Sequence, residues 1–378
     1  MLRAETLRLT DLDPADVTAW RALCAAGPSF ASPLLSPDFA LAVARVRDDA
    51  RVTIWRRDGE PVAFLAHHRR PGAFARPIGA PLSDYHGLVG DAGSDISRAF
   101  ADAELRAYRF TGLVDPAEAF ASHVERRREA FVISLSGTAD DYLEALRAAS
   151  AKRFKNYRRL DHKLDREIGP LRIVAPDSSR AAFDALIAWK AEQLARTGAH
   201  DFLRPAWTRR LLDELFARQD GDFRGLMITL YAGDRLVGGH FGVREGAVYH
   251  PWIASIDPEL AAWSPGQVFL PRAIAAMPEL GLTTYDLGPG HEHYKRPFAL
   301  STRTVGEGLA VAGNAGGRAA RASDRAWAFI AASEGGPMDR LRRRLDAIAA
   351  LEPSLAGRAI SLASALAAQT RRAPAEAA

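Results

Sequence analysis

Apolar positions recur along this chain in two rhythms, one helical and one alternating. Helical spacing runs over Pro14 to Ala26 and Pro37 to Arg47, with Gly27-Pro28 and Ser32-Pro33 breaking between them. A strand-like start (Leu2 to Leu9) precedes them. Two short strands follow, Arg51 to Trp55 and Val62 to Ala66, joined around Asp58-Gly59, a strong hairpin signal. A loop dense in Gly, Pro and polar groups covers 79–87, and the pattern then predicts a helix over Ile96 to Ala107 and a strand over Ala130 to Leu135. From Ala139 a similar order repeats. Helical spacing spans Asp140 to Ile168, Ser178 to Thr197 and Pro205 to Arg218, with a short strand at Leu171 to Val174. Strands Leu226 to Tyr231 and Leu236 to Val243 close over Gly233-Asp234, and Ala247 to Ile256 adds a third over Glu245-Gly246. A helix from Pro265 to about Met277 and a strand from Thr283 to Leu287 complete the repeat.

The hairpins RVTIWRRDGEPVAFLAHHRR and MITLYAGDRLVGGHFGVR share one shape: strand, tight turn, apolar strand, polar exit. This predicts an α/β (α+β) chain of two tandem units, 1–138 and 139–312, with a cleft between copies as a preferred ligand position. After about Gly313 the chain becomes Ala- and Arg-rich. Helices are predicted there near Ser323 to Ala332, Met338 to Leu351 and Leu355 to Ala367, as a tail over 313–378.

The start of the Pro265 helix carries the clearest local chemistry. Ser264 is suited to an N-cap, Pro265 to the first helical position, and Gln267 to the capping-box position. Unpaired amides and the positive end of the helix dipole then face outward, and Gly266 lets a phosphate approach the backbone. The alternative is an ordinary capped helix crossing over a sheet.

Composition narrows the field. A length of 378 residues suits two domains, and a formal charge of +4 is too mild to imply nucleic acid by itself. The single cysteine, Cys24, excludes an intramolecular disulfide and a cysteine-based zinc site, and it fits a reducing compartment. No metal and no DNA partner are expected. No apolar run approaches the ~20 residues of a membrane helix, and no signal peptide is visible. The expectation is a cytoplasmic protein, with peripheral contact at the inner membrane left open.

Taken as an ordered set, several stretches resemble a known family. They are Pro81-Leu82-Ser83-Asp84-Tyr85-His86-Gly87, the basic run Lys152 to Arg159, Lys190 to Gly198, Gly239-His240, Ser264-Pro265-Gly266, and Asp286-Leu287-Gly288 with Tyr294-Lys295 and Phe298. Together they resemble the GNAT acyltransferases, in the Fem-like tandem branch and specifically its CelD/BcsL-like group linked to bacterial exopolysaccharide synthesis. The resemblance covers Met1 to about Ala312. The common GNAT signature Arg/Gln-x-x-Gly-x-Gly/Ala is replaced by Trp263-Ser264-Pro265-Gly266.

The resemblance implies two tandem GNAT-like domains, each a mixed sheet flanked by helices, and an N-acyltransferase using acetyl-CoA. Its acceptor is an amino group on a sugar of an exopolysaccharide or of its nucleotide- or lipid-linked precursor. The N-terminal domain is expected to be scaffold and acceptor wall. Backbone amides of Trp252, Ile253 and Ala254 are the oxyanion donors this fold implies, and Ser264, Pro265, Gly266 and Gln267 the pyrophosphate cradle. Candidates for proton transfer are His240, His250, Asp286 and Tyr294, with Lys295 anchoring an anionic substrate. Each has a plainer reading: a core histidine, a sheet residue, a turn-shaping aspartate, a solvated lysine.

Asp84, Tyr85 and His86 are acceptor-binding candidates, or else a turn-capping cluster. Among Lys152, Arg153, Lys155, Arg158 and Arg159 several share a helical face, either solvated or gripping a diphosphate or an RNA end. Lys190, Gln193 and Arg196 recur on another face, as an acceptor groove or a polar stripe. Two competing functions remain open: a Fem-like aminoacyl transferase using charged tRNA, and a cyclic di-GMP-responsive effector acting through Arg340 to Asp346. For the last segment the plainer reading is favoured, a basic amphipathic helix touching the core or an anionic membrane, because such short Arg patterns are frequent by chance.

Overall fold

The computed structural model describes residues 2–197, 201–290, 292–330, 336–352 and 354–370. Gly198, which closes the Lys190 to Gly198 stretch, and Ala332, at the expected end of a tail helix, lie outside the described residues. In chain order the elements begin β1 (Leu2–Arg8), α1 (Pro14–Ala25), α2 (Pro37–Val46), β2 (Ala50–Arg57), β3 (Glu60–Arg70), β4 (Phe74–Pro77), β5 (Val89–Gly90), α3 (Ile96–Asp102), β6 (Ala107–Leu113) and β7 (Val124–Ser134). They continue α4 (Ala139–Ala149), α5 (Ala151–Glu167), β8 (Leu171–Val174), α6 (Arg180–Thr197), α7 (Ala206–Ala217), β9 (Phe223–Ala232), β10 (Arg235–Glu245), β11 (Val248–Ile256) and α8 (Pro265–Ala276). The remainder are β12 (Thr284–Pro289), α9 (Glu292–Lys295), β13 (Ser301–Val311), α10 (Ala315–Ile330), α11 (Pro337–Leu351) and α12 (Leu355–Thr370). The fold is a mixed α/β one. Contacts divide it into two units, the first made of Met1–Arg128, Leu194–Leu211 and Val305–Ala378, the second of Glu129–Gln193 and Leu212–Thr304.

In the first unit the strands run β1-β2-β3-β4-β6-β13, with β5 beside β3. All neighbours are antiparallel except β4 and β6. Asp58 and Gly59 turn the β2–β3 hairpin with φ of 53° and 96°, the positive values that a tight hairpin of matching twist needs. Trp55, Leu65, Phe100, Tyr108, Phe110 and Phe120 fill the core beneath it. A buried polar group holds the end of α11. Arg70 donates to the Ala349 and Ala350 carbonyls at 3.0 and 2.8 Å, and the Trp207 indole donates to Leu351 at 3.1 Å. Asp49 in turn binds Arg47 at 2.7 Å and Arg70 at 3.0 Å. Cations and N–H donors thus meet the negative end of a helix.

The second unit's strands run β7-β12-β11-β10-β9-β8, where β11 and β12 are parallel and the other pairs antiparallel. Alternation along β10 sends neighbouring side chains to opposite faces. Phe241 packs edge-on to Phe183 of α6 at 4.9 Å, while His240 meets Phe269 of α8 at 4.5 Å. Helices therefore cover both faces. Helix α5 buries Phe154, Tyr157, Leu160 and Leu164 against α8 and the sheet, and exposes Lys152, Arg153, Lys155, Arg158 and Arg159.

Two expectations are corrected, and one strand lies outside those predicted. The helix expected over Asp140 to Ile168 is two helices, because Ser150 leaves helical geometry (φ −155°, ψ 73°). The helix from Ile96 stops at Asp102, and the chain turns into strand β6. That strand is β13, where Gly306 and Gly308 interrupt a run otherwise suited to a strand by Thr302, Thr304, Val305 and Val311. Those glycines mark close approach: a Cβ on Gly308 would stand 2.1 Å from the His123 carbonyl oxygen.

Candidate functional site

Two helix N-termini meet at one cavity in the second unit. Its volume is about 650 Å³, and Ser150, Lys152, Arg153, Asn156 and Tyr157 bring the start of α5 to it. Gln267 contributes from the first turn of α8, and His293, Tyr294, Pro297 and Phe298 close it. Among these described residues there is no carboxylate. Tyr157 stacks on Phe298 at 5.1 Å, and Tyr294 stands edge-on to Phe298 at 6.3 Å, forming an aromatic floor under a basic rim. An ion pair between Arg272 and Asp161, 2.7 Å, fixes α8 against α5. Two positive helix ends, two cationic side chains and no acid describe a site for an anion.

The start of α8 differs from the expected capping box. Ser264 has left-handed backbone (φ 51°, ψ 49°), and its side chain makes no cap hydrogen bond. A capping serine needs extended backbone to turn its hydroxyl onto the following amides. Here the Gln267 N–H instead reaches the Ser264 carbonyl at 2.9 Å, and the Gln267 side chain faces Asn156, whose amide donates to Oε1 at 3.4 Å. The N–H of Gly266, as a first-turn amide, has no partner within the helix. A Cβ on Gly266 would lie 3.6 Å from the Tyr294 ring, so Tyr294 walls the helix start.

Burial pushes the Tyr294 phenol well above its usual range, so it stays protonated and able to donate. His240 is buried on β10, and its Nδ1 lies 2.7 Å from the Tyr285 hydroxyl. Burial, reinforced by the nearby Lys190 and Lys295 ammoniums, pushes His240 down to about 3 and keeps the ring neutral. Burial also lowers Lys190, which donates to Gln193 at 3.1 Å. Lys295 donates to the Pro289 carbonyl at 2.7 Å. Asp286 is buried and accepts from the Gly288 amide at 3.0 Å, with His250 Nδ1 at 3.8 Å.

The β10–β11 register shifts between Phe241 and Gly242, which leaves Trp252 as an extra residue between Pro251 and Ile253. Parallel pairing of β11 with β12 covers only Val248–Thr284 and Tyr249–Tyr285. Beyond Tyr249 the segment Trp252 to Ala254 therefore continues off the β12 ladder. Such a bulge re-aims backbone groups.

The cavity thus brings together Lys152, Arg153, Gln267 and Tyr294, which the sequence distributed between donor, acceptor and catalytic roles. His240, Lys190, Gln193 and Lys295 gather in a second group beside Tyr285. Arg196 and Lys155 line neither. Asp84, Tyr85 and His86 belong to the first unit, where Tyr85 is fully buried. His86 Nε2 accepts from the Thr111 and Gly112 amides at 3.1 and 3.0 Å, which gives that ring a structural task. In the tail, Arg342 pairs with Asp324 at 3.0 Å and Asp346 with Arg76 at 2.8 Å, while the side chains of Arg340 and Arg343 lie outside the described residues. No described helix is long and apolar enough to cross a membrane, and no described cluster of His, Cys, Asp or Glu is placed to hold a metal.

Sequence reasoning assigned no role to Asn156, Tyr157 or His293. The signal was present for the first two: Arg153, Asn156 and Tyr157 stand at i, i+3 and i+4 on one face.

Comparison with known proteins agrees with this architecture. Residues 151–296 match the family described as an acetyltransferase (GNAT) domain. No curated protein matches the chain in sequence. Among solved structures, FemX is similar with a TM-score of 0.50 and 12% identity, over 78% of this chain and 94% of that one. A tandem GNAT protein from the clavulanic acid biosynthesis pathway aligns with a TM-score of 0.46 and 12% identity, over 83% of this chain and 100% of its own. A C-terminal domain (DUF2156) described as that of a lysylphosphatidylglycerol synthetase from Agrobacterium fabrum aligns at 0.47 and 14% identity, over 81% and 95%. Segment 151–296, which holds the paired helix starts, the bulged strand and Tyr294, is the part that matches a GNAT acetyltransferase domain, and the chain is an acyltransferase.

Proposed function

We propose that the chain is an N-acyltransferase that takes an acetyl group from acetyl-CoA and passes it to an amine. The acceptor we favour is an amino sugar of an exopolysaccharide or of its nucleotide- or lipid-linked precursor, the class its sequence resemblance implies. One observation carries the donor assignment: the acid-free cavity where the starts of α5 and α8 meet beneath Lys152 and Arg153. A diphosphate is the kind of group such a site binds. Acetyl-CoA supplies the activated thioester carbonyl; the chain's residues position and manage charge.

In this reading the bulged backbone at Trp252 to Ala254 offers N–H groups to the carbonyl oxygen as negative charge develops there. Tyr294, kept protonated beside the helix start, donates its proton to the departing sulfur. Asp286 is the candidate acceptor for the amine proton, and His240, held neutral by burial, fixes the Tyr285 hydroxyl at 2.7 Å. Lys190 and Lys295 beside His240 suit an acceptor that carries negative charge.

The test is calorimetric titration of the full chain with acetyl-CoA. Saturable binding that Gly266→Val removes supports the assignment, because a branched side chain there enters the space between the helix start and Tyr294. Unchanged affinity in that variant removes the cradle from the donor site. Silence of the unaltered protein toward acetyl-CoA moves the donor to an aminoacyl group carried by tRNA, a reading that the exposed Lys155 and Arg158 of α5 favour. Cyclic di-GMP is titrated in parallel for the Arg340 to Asp346 segment.

A further inference from the structure

We infer that Arg159 and Asn156 form a positioning relay that sets which end of the Gln267 amide is offered to the cavity, an inference that rests on the donor-site reading above. A carboxamide has two similar ends of opposite character, one that only accepts and one that only donates. Which end faces an anion decides between attraction and repulsion. In this site the choice is made three residues along α5.

Arg159 is the fixed point of the chain. Its guanidinium can only donate, and both Nε and Nη2 reach Asn156 Oδ1, at 3.3 and 2.9 Å. Residues at i and i+3 are neighbours on a helix, so the pair forms within α5 without help from elsewhere. With its oxygen held by Arg159, Asn156 must turn its NH2 the other way. That NH2 donates to Gln267 Oε1 at 3.4 Å. A donor at that distance requires the oxygen of Gln267 there, so Nε2 and both its hydrogens remain for whatever occupies the cavity that Gln267 lines.

The direction is thus set by a group that cannot be reversed, and each amide inherits it. If the relay ran backwards, Gln267 would present a carbonyl oxygen to the ligand. The Ser264 N–H, the group a capping-box glutamine would accept from, donates instead to the Ala261 carbonyl at 3.0 Å, which leaves the Gln267 side chain to Asn156. The ligand chemistry this selects is acceptor-only: a phosphate or diphosphate oxygen. Arg159 does not line the cavity. Its charge lies outside, and its contribution passes through Asn156.

The test separates relay from bare charge with a double-mutant cycle in the full chain, reading Kd for acetyl-CoA and for inorganic pyrophosphate by calorimetry. Removing one hydrogen bond to a charged group corresponds to roughly a tenfold loss of affinity, and that is expected for Gln267→Ala and for Asn156→Ala. Arg159→Leu is expected to weaken both probes severalfold, and Arg159→Lys to restore most of the loss because an ammonium also donates to Oδ1. In the Gln267→Ala background, Arg159→Leu should cost nothing further.

If Arg159→Leu weakens binding equally with and without Gln267, the residue acts as a distant charge and the relay is overturned. If Arg159→Leu leaves the affinity of an otherwise binding protein unchanged, the relay is overturned while the donor site stands. If the unaltered protein binds neither probe, both readings fall together. Melting temperatures within a degree of the parent, measured alongside, exclude misfolding as the source of any loss.

Discussion

Four histidines make this protein acid-sensitive in a way its carboxylates do not. His67, His68, His86 and His240 are all buried. Burial pushes them from 6.5 to about 3, 4, 3 and 3 respectively. Their native values lie below the unfolded one, so the unfolded chain binds more protons between about pH 3 and 6.5. The stability they contribute is complete above pH 6.5 and is lost as pH falls through that window. Between pH 7.5 and 5.5 each loses roughly 1.4 kcal/mol and the four together about 5 kcal/mol, a large share of a typical folding free energy. His123, lowered by burial and by Arg321, acts in the same sense. Asp115 and Glu125, raised by burial, act oppositely at the lower end. The assay is potentiometric: native and urea-unfolded protein are titrated from pH 7.5 to 5 and the proton difference is read directly. Uptake of nearly four protons on unfolding at pH 5 is expected, on the order set by these shifts. His86→Gln should remove one, since a carboxamide oxygen can accept the Thr111 and Gly112 amides without titrating. A difference of one proton or less would refute the claim that these rings are held neutral by burial.

Three further outcomes follow from the geometry. Tyr294→Phe should lower kcat by about 10²-fold with little change in donor Kd; an equal loss in both would make the phenol a binding group instead. Lys152→Ala and Arg153→Ala should each weaken acetyl-CoA about tenfold and flatten its salt dependence, whereas affinity indifferent to both would empty the basic rim of meaning. Arg70→Ala leaves Asp49 and the end of α11 short of a buried partner and should cost roughly 3 kcal/mol. Limited proteolysis after residue 313 reads that loss as faster cleavage, and unchanged digestion would show that Arg70 does not hold the helix.

Much of the fold was legible because its signals were local. Asp58-Gly59 and Gly233-Asp234 mark hairpins by residue chemistry alone, and both turns form as expected. The amphipathic face of α5 and the start of α8 at Pro265 were equally visible. What escaped depends on distant partners. Strand β13 is broken by Gly306 and Gly308, and those glycines make sense only from its partners, since it pairs with β6 and the His123 carbonyl leaves no room for a side chain at Gly308. The capping box at Ser264 failed for the same kind of reason. Its letters are right, but left-handed backbone and the nearby Asn156 give Gln267 a different partner. The site was legible as a set of residue types, whereas their grouping was not. That Lys152, Arg153 and Gln267 share one cavity follows from α5 packing on α8, which no spacing rule states.

The pairing of β13 with β6 also sets a timetable. Gly306 to Val311 supply the strand that completes the first unit's sheet beside Ala107 to Leu113, and α11 brings carbonyls to Arg70 later still. A ribosome releasing the chain from its N-terminus delivers the whole of segment 129–304 in between. At roughly 5–20 residues per second, β6 waits on the order of ten seconds or more with one edge open. The second unit can therefore finish folding before the first, most of which precedes it in sequence. During that interval the nascent protein presents an unpaired strand edge, the feature by which chains find wrong partners. Chaperone demand during synthesis should accordingly track the first unit rather than the second.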